Sequence, residues 1–236
     1  MEMQKKEKYD FGDLKEIMRI LRSENGCPWD REQTHKSIRN NFIEEVYEAV
    51  EAIDNESAEL LKEELGDTLL QVVFHAQISS EAGEFDIEDV CDEICKKLII
   101  RHPHIFSDAL TVADTSEQVL NNWENIKIKE KGYADTQTYV ESTSKSLPAL
   151  MRSEKIQKRL IKRNVTEKPD ISGIIKKIKE DIIQLENVEN VLHGINPDKI
   201  GRILYDVVSL ANECGINPEQ ALYDFNNQII KIMLKF

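Results

Sequence analysis

Apolar residues recur along most of the chain at intervals of three and four positions, the spacing that places them on one face of an α-helix. Leu14, Ile17, Met18 and Leu21 form the first such stripe. The same spacing predicts further helices over residues 34–53, 57–82, 86–101, 116–131, 148–162, 171–187, 197–213 and 218–236. We find no convincing strand pattern, so we predict an all-α fold.

Residues 132–146, GYADTQTYVESTSKS, interrupt this periodicity with an aperiodic polar stretch. Such a composition is typical of a linker. We therefore predict a helical unit at 1–131, a linker at 132–146 and a second helical unit at 147–236.

The two predicted units resemble each other weakly at a shift of about 135 residues. EELGDTLLQVVFHAQ (63–77) aligns with DKIGRILYDVVSLAN (198–212), and IEEVYEAVE (43–51) aligns with KEDIIQLEN (179–187). We predict a duplicated helical-bundle unit. The alternative is that two unrelated amphipathic helices align equally well.

The chain of 236 residues has a formal net charge of -13, which argues against nucleic-acid polymers and anionic membranes as partners. Residues 1–146 hold 32 Asp and Glu against 17 Lys and Arg, which favours a cation site in this part. The four cysteines form no Cys-x-x-Cys pair, and no apolar run approaches the ~20 residues of a membrane span. We expect a reduced, cytoplasmic protein.

Two adjacent predicted helices hold ten carboxylates and one basic residue between positions 42 and 67. Glu45 and Glu48 share one face of the first helix because they are spaced i, i+3. Glu64 and Asp67 share one face of the second helix for the same reason. At a rise of about 1.5 Å per residue, the two pairs lie at matching distances from the intervening turn. We name these four residues the acidic cluster.

Four converging carboxylates repel one another unless a cation neutralises them, and all-oxygen ligands suit Mg²⁺ or Mn²⁺. A solvated acidic face is the alternative. We favour the metal site because Val46, Val50, Leu61 and Leu65 alternate with the cluster and are expected to turn these helix faces inward. A di-iron bundle would need two Glu-x-x-His pairs, and the chain has one such spacing, Glu32 with His35.

Six motifs follow one another along residues 11–131. They are CPWDREQTH (27–35), EEVYE (44–48), ELGD (64–67), LLQVVFHAQ (69–77), IRHPHIF (100–106) and NWENIK (122–127). Together they resemble the MazG family, and the match continues more loosely from residue 146. The resemblance implies an all-α, Mg²⁺-dependent homodimer that hydrolyses nucleoside triphosphates to nucleoside monophosphate and pyrophosphate. Hydrolysis of a different phosphoanhydride, such as an alarmone, remains the alternative reaction.

The resemblance also implies roles for individual carboxylates. The acidic cluster would supply the metal ligands, so Glu45 and Glu48 would take part in catalysis through the cation. Glu44 would neighbour them and could orient the attacking water.

Four further residues match the substrate-binding positions of the family. Lys97, Arg101 and Lys127 correspond to phosphate-binding cations, and Trp123 corresponds to the base-stacking residue. Arginine can bind phosphate through two hydrogen bonds, lysine supplies a point charge, and tryptophan offers a flat stacking surface. The alternatives are that Lys97 and Arg101 complement the C-terminal dipole of their helix, and that Trp123 packs in a core.

The second predicted unit departs from this pattern at the positions aligned with the acidic cluster. Those positions hold Asp181, Gln184, Lys199 and Arg202. Two anionic ligands have become cations, which would occupy a metal position. We predict that this unit is catalytically inactive. A non-catalytic helical module that binds nucleotide through the second unit remains the alternative from another functional class.

Overall fold

The computed structural model describes residues 5–107, 115–133, 135–186 and 196–233. These ranges contain twelve α-helices and no β-strand, which confirms the predicted all-α class. The helices are α1 (Phe11–Leu21), α2 (Pro28–Glu32), α3 (Arg39–Asp54), α4 (Ala58–Glu81), α5 (Ile87–Arg101), α6 (Pro103–Phe106), α7 (Ser116–Glu130), α8 (Thr136–Glu141), α9 (Ala149–Lys162), α10 (Ile171–Glu186), α11 (Pro197–Glu213) and α12 (Pro218–Met233). Among the described helices, none combines the length and the apolar character that a bilayer-spanning segment requires.

Local sequence signals set the helix ends. Asp10 and Asp86 begin α1 and α5 with capping boxes, in which each side chain accepts a hydrogen bond from a first-turn amide. Gly83 ends the α4 segment as predicted, with a φ of 71° in the left-handed region. The short helices α2 and α6 were not predicted. Pro28 and Pro103 start them, because proline is accepted at the first helical position.

The chain divides into two compact units, unit 1 at residues 1–123 and unit 2 at residues 124–236, and the division falls within α7. The predicted linker at 132–146 contains the short helix α8, and its Tyr139 is only 1% exposed. A single buried aromatic side chain anchors this polar segment, which is too short for periodicity to reveal a helix. The functional division into a catalytic and a degenerate unit stays a prediction.

The described residues of unit 1 contain an apolar core. It consists of Met18, Ile38, Val73, Phe74, Ala76 and Ile87. These residues come from helices α1, α4 and α5 and from the turn that precedes α3. Helices α3 and α4 form the most closely packed pair of the described chain. They run antiparallel because only residues 55–57 join them.

The CPWDREQTH segment is linked to α4 in two places, through Arg22 at its middle and directly through His35 at its end. The buried Arg22 side chain pairs with Glu81 at 2.7 Å and donates a hydrogen bond to the carbonyl oxygen of Asp30. At the end of the segment, Nδ1 of His35 lies 2.7 Å from Nδ1 of His75. These contacts fix the chain immediately before α3 and thereby place the start of that helix against α4.

Unit 2 is organised around α9, α10 and α11, with α10 and α11 forming its closest pair. The guanidinium carbons of Arg159 and Arg163 lie 4.6 and 5.1 Å from the centroid of the Tyr139 ring. Its hydroxyl group donates to the carboxylate of Glu124 at 2.7 Å. Each unit contains an adjacent helix pair, α3–α4 and α10–α11, and the duplication stays a prediction.

Candidate active site

The turn between α3 and α4 sets the position of the acidic cluster. Helix α3 ends at Asp54, and α4 begins at Ala58. Ser57 is the N-cap of α4, and its side chain accepts a hydrogen bond from the amide of Leu60. Because this connection is so short, residues at equal distances before and after it meet across the helix pair.

Three of the four cluster residues converge. Carboxylate oxygens of Glu45, Glu48 and Glu64 all lie within 4.8 Å of one another. Asp67 lies beside this group, and its charge acts on both Glu45 and Glu64. Glu45 and Glu64 are partly buried, whereas Glu48 is exposed, and Glu44 is exposed on α3 next to Glu45.

Burial and neighbouring carboxylates raise the pKa values of two cluster residues. Burial raises the pKa of Glu45, and the charges of the other three cluster carboxylates raise it further. Burial also raises the pKa of Glu64, and neighbouring carboxylates add to the effect. Both shifts favour the protonated form, and a bound cation would favour the ionised form instead.

The donor set fits a hard divalent cation. An octahedral Mg²⁺ ion has its oxygens at about 2.1 Å, so its ligand atoms lie about 3–4 Å apart. The three converging carboxylates are already grouped within 4.8 Å, so small side-chain movements would bring them to a common ion. All the donors are oxygens, which distinguishes this group from the nitrogen-containing or sulfur-containing sets of zinc and iron sites.

Sequence reasoning missed Gln71. This residue follows Asp67 by one turn of α4, it is 6% exposed, and its side chain partly offsets the rise in the pKa of Glu45. The signal was its i+4 spacing from Asp67, which places both residues on the same helix face.

The inward orientation predicted for the apolar residues that alternate with the cluster is wrong for three of the four, since Leu61 is partly buried. Val46, Val50 and Leu65 are 43%, 39% and 54% exposed in the single chain, not turned inward. Periodicity identifies an apolar helix face, but it does not show whether the same chain covers that face.

The predicted phosphate-binding and base-stacking residues of unit 1 contact each other. The guanidinium carbon of Arg101 lies 4.9 Å from the centroid of the Trp123 ring, and Arg101 is 7% exposed. Lys97, one turn earlier on α5, pairs with Glu93 at 2.5 Å. The structure therefore joins two of the predicted substrate residues directly.

Lys127, the remaining predicted phosphate contact, lies in unit 2. Its ammonium group is 3.5 Å from a carboxylate oxygen of Glu124. The same carboxylate accepts the hydrogen bond of the Tyr139 hydroxyl. Lys127 thus belongs to a partly buried polar group that also includes a residue of α8.

At the aligned positions of unit 2, the chain provides its own cation. Nε of Arg202 lies 3.1 Å from a carboxylate oxygen of Asp181, which is 6% exposed. In the repeat alignment these residues correspond to Asp67 and Glu45. A guanidinium group therefore neutralises the one buried carboxylate at this position of the α10–α11 pair.

Comparisons with known proteins agree with the motif pattern. Residues 33–106 match the MazG nucleotide pyrophosphohydrolase domain, and this segment contains the whole acidic cluster. The chain is 40% identical over 212 residues to the nucleoside triphosphate pyrophosphohydrolase/pyrophosphatase MazG of Thermotoga maritima, covering 90% of this chain and 79% of that protein. It is 39% identical over 216 residues to the nucleoside triphosphate pyrophosphohydrolase of Escherichia coli K12, covering 90% of this chain and 81% of that protein. It is also 41% identical over 221 residues to the uncharacterized protein YabN of Bacillus subtilis, covering 93% of this chain but 45% of that protein.

Proposed function

This chain belongs to the MazG family of nucleotide pyrophosphohydrolases, and we propose that it hydrolyses nucleoside triphosphates to nucleoside monophosphate and pyrophosphate at the acidic cluster. The observation that carries this proposal is the convergence of Glu45, Glu48 and Glu64 within the segment that matches the family. We propose Mg²⁺ as the cofactor, with Mn²⁺ as a substitute, because every donor in the cluster is a carboxylate oxygen.

Residues of α3 and α4 are proposed to bind the cation and to orient the attacking water. A divalent cation bound there would polarise the triphosphate and lower the pKa of a bound water. Glu45, Glu48, Glu64 and Asp67 are the proposed ligands, and Glu44 is proposed to orient the attacking water. Attack of water on the α-phosphorus forms one P–O bond and breaks the bond to the bridging oxygen, which leaves with pyrophosphate.

Cationic and aromatic residues are proposed to bind the substrate. Lys97, Arg101 and Lys127 would balance the negative charge of the triphosphate, and Trp123 would stack on the base. The contact between Arg101 and Trp123 supports this assignment, because a stacked guanidinium plane is held in one orientation.

We propose that the protein acts as a homodimer. Apolar side chains of α3, α4 and α5 are left exposed on the single chain. They include Ile43, Val46, Tyr47, Val50, Ile53, Leu60, Leu65, Leu69, Ile94, Leu98 and Ile99. An exposed apolar surface of this extent is typical of a protein interface. Sedimentation velocity should give twice the chain mass of 27.3 kDa, and a monomer at micromolar concentration would contradict the proposal.

The remaining proposals concern the second half of the chain and the cellular setting. We propose that residues 1–131 contain the catalytic unit, and that residues 147–236 form a non-catalytic unit because Arg202 already neutralises Asp181.

A cytoplasmic location is proposed because all four cysteines are free thiols, as in reducing compartments. Cell fractionation tests the location.

Product analysis tests the proposed reaction. The full chain is incubated with canonical and modified nucleoside triphosphates in the presence of Mg²⁺, with a chelator as the control. We expect equal amounts of pyrophosphate and nucleoside monophosphate, and no product with the chelator. Release of orthophosphate would indicate a different phosphoanhydride reaction, and binding without turnover would indicate a non-catalytic module; either result contradicts the proposal.

A further inference from the structure

We propose that His35 and His75 form a pH-sensitive link that holds the start of α3 against α4 and opens when both rings become protonated. His35 lies in the turn before α3, and His75 lies on α4. Neither ring belongs to the acidic cluster, and the link is independent of the proposed reaction. Its state determines how firmly the first turn of α3, the helix that carries Glu45 and Glu48, is held in place.

The geometry of the two rings is that of a direct hydrogen bond. Their Nδ1 atoms lie 2.7 Å apart, and the ring planes differ by only 3°. The ring centroids are 5.0 Å apart, a separation that this nitrogen–nitrogen distance allows only when the rings lie end to end in one plane. A proton on one Nδ1 atom therefore points at the lone pair of the other. The bond requires that one of the two Nδ1 atoms carries no proton.

A polar chain behind His35 sets which ring donates. Nε2 of His35 lies 3.2 Å from the hydroxyl of Ser79, a fully buried residue, and this hydroxyl donates to the carboxylate of Glu84 at 3.3 Å. The hydroxyl has one proton, so it accepts from Nε2–H of His35. In the neutral pair, Nδ1 of His35 is then the acceptor, and Nδ1–H of His75 is the donor.

The pair can hold one added proton but not two. A first proton can reside on His35, whose Nδ1–H then donates to the Nδ1 lone pair of His75. A second proton would place two N–H groups against each other across 2.7 Å and two positive charges in adjacent rings. Burial lowers the pKa of His75, and the charge of His35 lowers it further, which agrees with this resistance to a second proton.

Glu84 and Phe42 face the pair from the neighbouring elements. Glu84, which precedes α5, reaches the pair through the buried hydroxyl group. Phe42 of α3 contributes an apolar ring, whose centroid lies 5.6 Å from that of His75. The charged residues Lys36 and Arg39 precede and begin α3, and both are exposed to solvent, which screens their charges. A fall in pH below about 6.5 therefore acts on the link chiefly through the two histidines themselves.

The second attachment of this segment to α4 does not titrate in the same range. Arg22 donates to the carbonyl oxygen of Asp30 and pairs with Glu81 at 2.7 Å. Burial alone would raise the pKa of Glu81, but hydrogen bonds from Arg22 and Gln77 lower it, and the net shift is downward. The ion pair therefore persists at pH values where histidines become charged. Acid should release the end of the segment next to α3 and leave Asp30 held.

The direction of the pH dependence follows from the lowered pKa of His75. The folded chain binds a proton at this ring less readily than the unfolded chain does. The link therefore contributes stability above the ordinary histidine pKa of about 6.5, and this contribution is lost as the pH falls below that value. The loss should appear at the start of α3, where the amides of Ile38 and Phe42 donate to the carbonyl oxygens of Thr34 and Ile38.

The first test measures the free energy of unfolding of the full chain, without metal, between about pH 5.5 and pH 8. His75→Asn replaces Nδ1 by a side-chain amide that can donate to His35 but cannot take up a proton. Near pH 6 the wild type should take up more protons on unfolding than the variant, by up to about one. His104→Asn is the matched control, because it removes a histidine of the same unit outside the pair, and it should keep the pH dependence of the wild type. Carboxylates are the same in all three proteins, so their titration cancels in the comparison.

Hydrogen exchange of the wild type shows where the chain opens, and it decides the matter even if His75→Asn does not fold. After correction for intrinsic exchange rates, the amides of Ile38 and Phe42 should lose about 10-fold in protection per pH unit below about pH 6.5, as one linked proton requires. The amide of Arg31, which donates to the carbonyl oxygen of Cys27, should keep its protection.

Three results would overturn the link. The first is equal proton uptake on unfolding by the wild type and His75→Asn. The second is unchanged protection of Ile38 and Phe42 across the pH range. The third is an equal loss of protection at Arg31, because the whole segment would then open together and the histidine pair would have no separate role.

Discussion

At the scale of single residues, the carboxylates of the acidic cluster repel one another, which lowers the stability of the metal-free protein. Burial and neighbouring carboxylates raise the pKa values of Glu45 and Glu64, so their ionised forms are less favoured than those of isolated carboxylates. Residues kept in such an environment are candidates for function, because packing alone would favour neutral side chains. The metal-free protein should therefore be strained at this point, and neutralising one carboxylate should relieve that strain.

Asp67→Asn tests this conclusion through stability. Asp67 raises the pKa of both Glu45 and Glu64, so its neutralisation should relieve repulsion at two sites. We expect the melting temperature of the metal-free protein to rise and the stabilisation by Mg²⁺ to shrink. Glu51→Gln, an exposed change on α3, should alter neither quantity. A lower metal-free melting temperature for Asp67→Asn, measured by calorimetry, would show that Asp67 serves the fold instead.

Arg101→Lys tests the substrate contacts. Lysine keeps the positive charge but loses the planar group that stacks on Trp123 and can bind phosphate through two hydrogen bonds. We expect KM to rise by about 10-fold for every nucleoside triphosphate, whatever its base. Lys96→Gln, on the exposed side of α5, is the control and should leave KM unchanged. A change in base preference alone would contradict the phosphate role of Arg101.

At the scale of helices, the α3–α4 and α10–α11 pairs differ in how their carboxylates are neutralised. The first pair gathers carboxylates, whereas the second pairs the buried Asp181 with Arg202. The repeat-related positions 67 and 202 should therefore respond oppositely to neutralisation.

Arg202→Gln should lower stability, in contrast to Asp67→Asn. The change leaves the buried carboxylate of Asp181 without its guanidinium partner. Because Arg202 is itself more than half exposed, we expect a loss of about 1 kcal/mol, or about 2–4 °C. Lys176→Gln, which breaks an exposed pair with Glu180 at 3.8 Å, should cost less than about 0.5 kcal/mol. An increase in melting temperature for Arg202→Gln would overturn the internal-cation account.

Part of the α3–α4 arrangement can be predicted from the sequence alone. The i, i+3 spacings of the acidic cluster predicted the convergence of Glu45, Glu48 and Glu64, because a short turn between two helices leaves few arrangements. Tyr139 and Gln71 were missed because each depends on contacts with distant side chains. The exposure of Val46 and Leu65 was missed for a related reason, since covering an apolar face depends on tertiary or quaternary neighbours.

At the scale of the whole molecule, charge and chemistry are divided along the chain. Residues 1–146 carry an excess of 15 negative charges, whereas residues 147–236 carry 14 basic and 12 acidic residues. The proposed cation site lies in the acidic part, and Arg202 takes the corresponding position in the other part. The α3–α4 pair is thus proposed to perform the chemistry, while the α10–α11 pair is proposed to contribute structure.

Pyrophosphate release by Glu48→Gln at saturating Mg²⁺ tests this account most directly. Glu48 is the most exposed of the three converging carboxylates, so its neutralisation removes a ligand without disturbing a buried contact. We expect kcat to fall by about 10²-fold or more with the fold retained by circular dichroism, because an anionic ligand is lost. Asp181→Asn, at the aligned helix pair of unit 2, should leave kcat within about twofold of the wild type. A near-normal rate for Glu48→Gln, or a comparable loss for Asp181→Asn, would contradict the assignment of the active site to the α3–α4 pair.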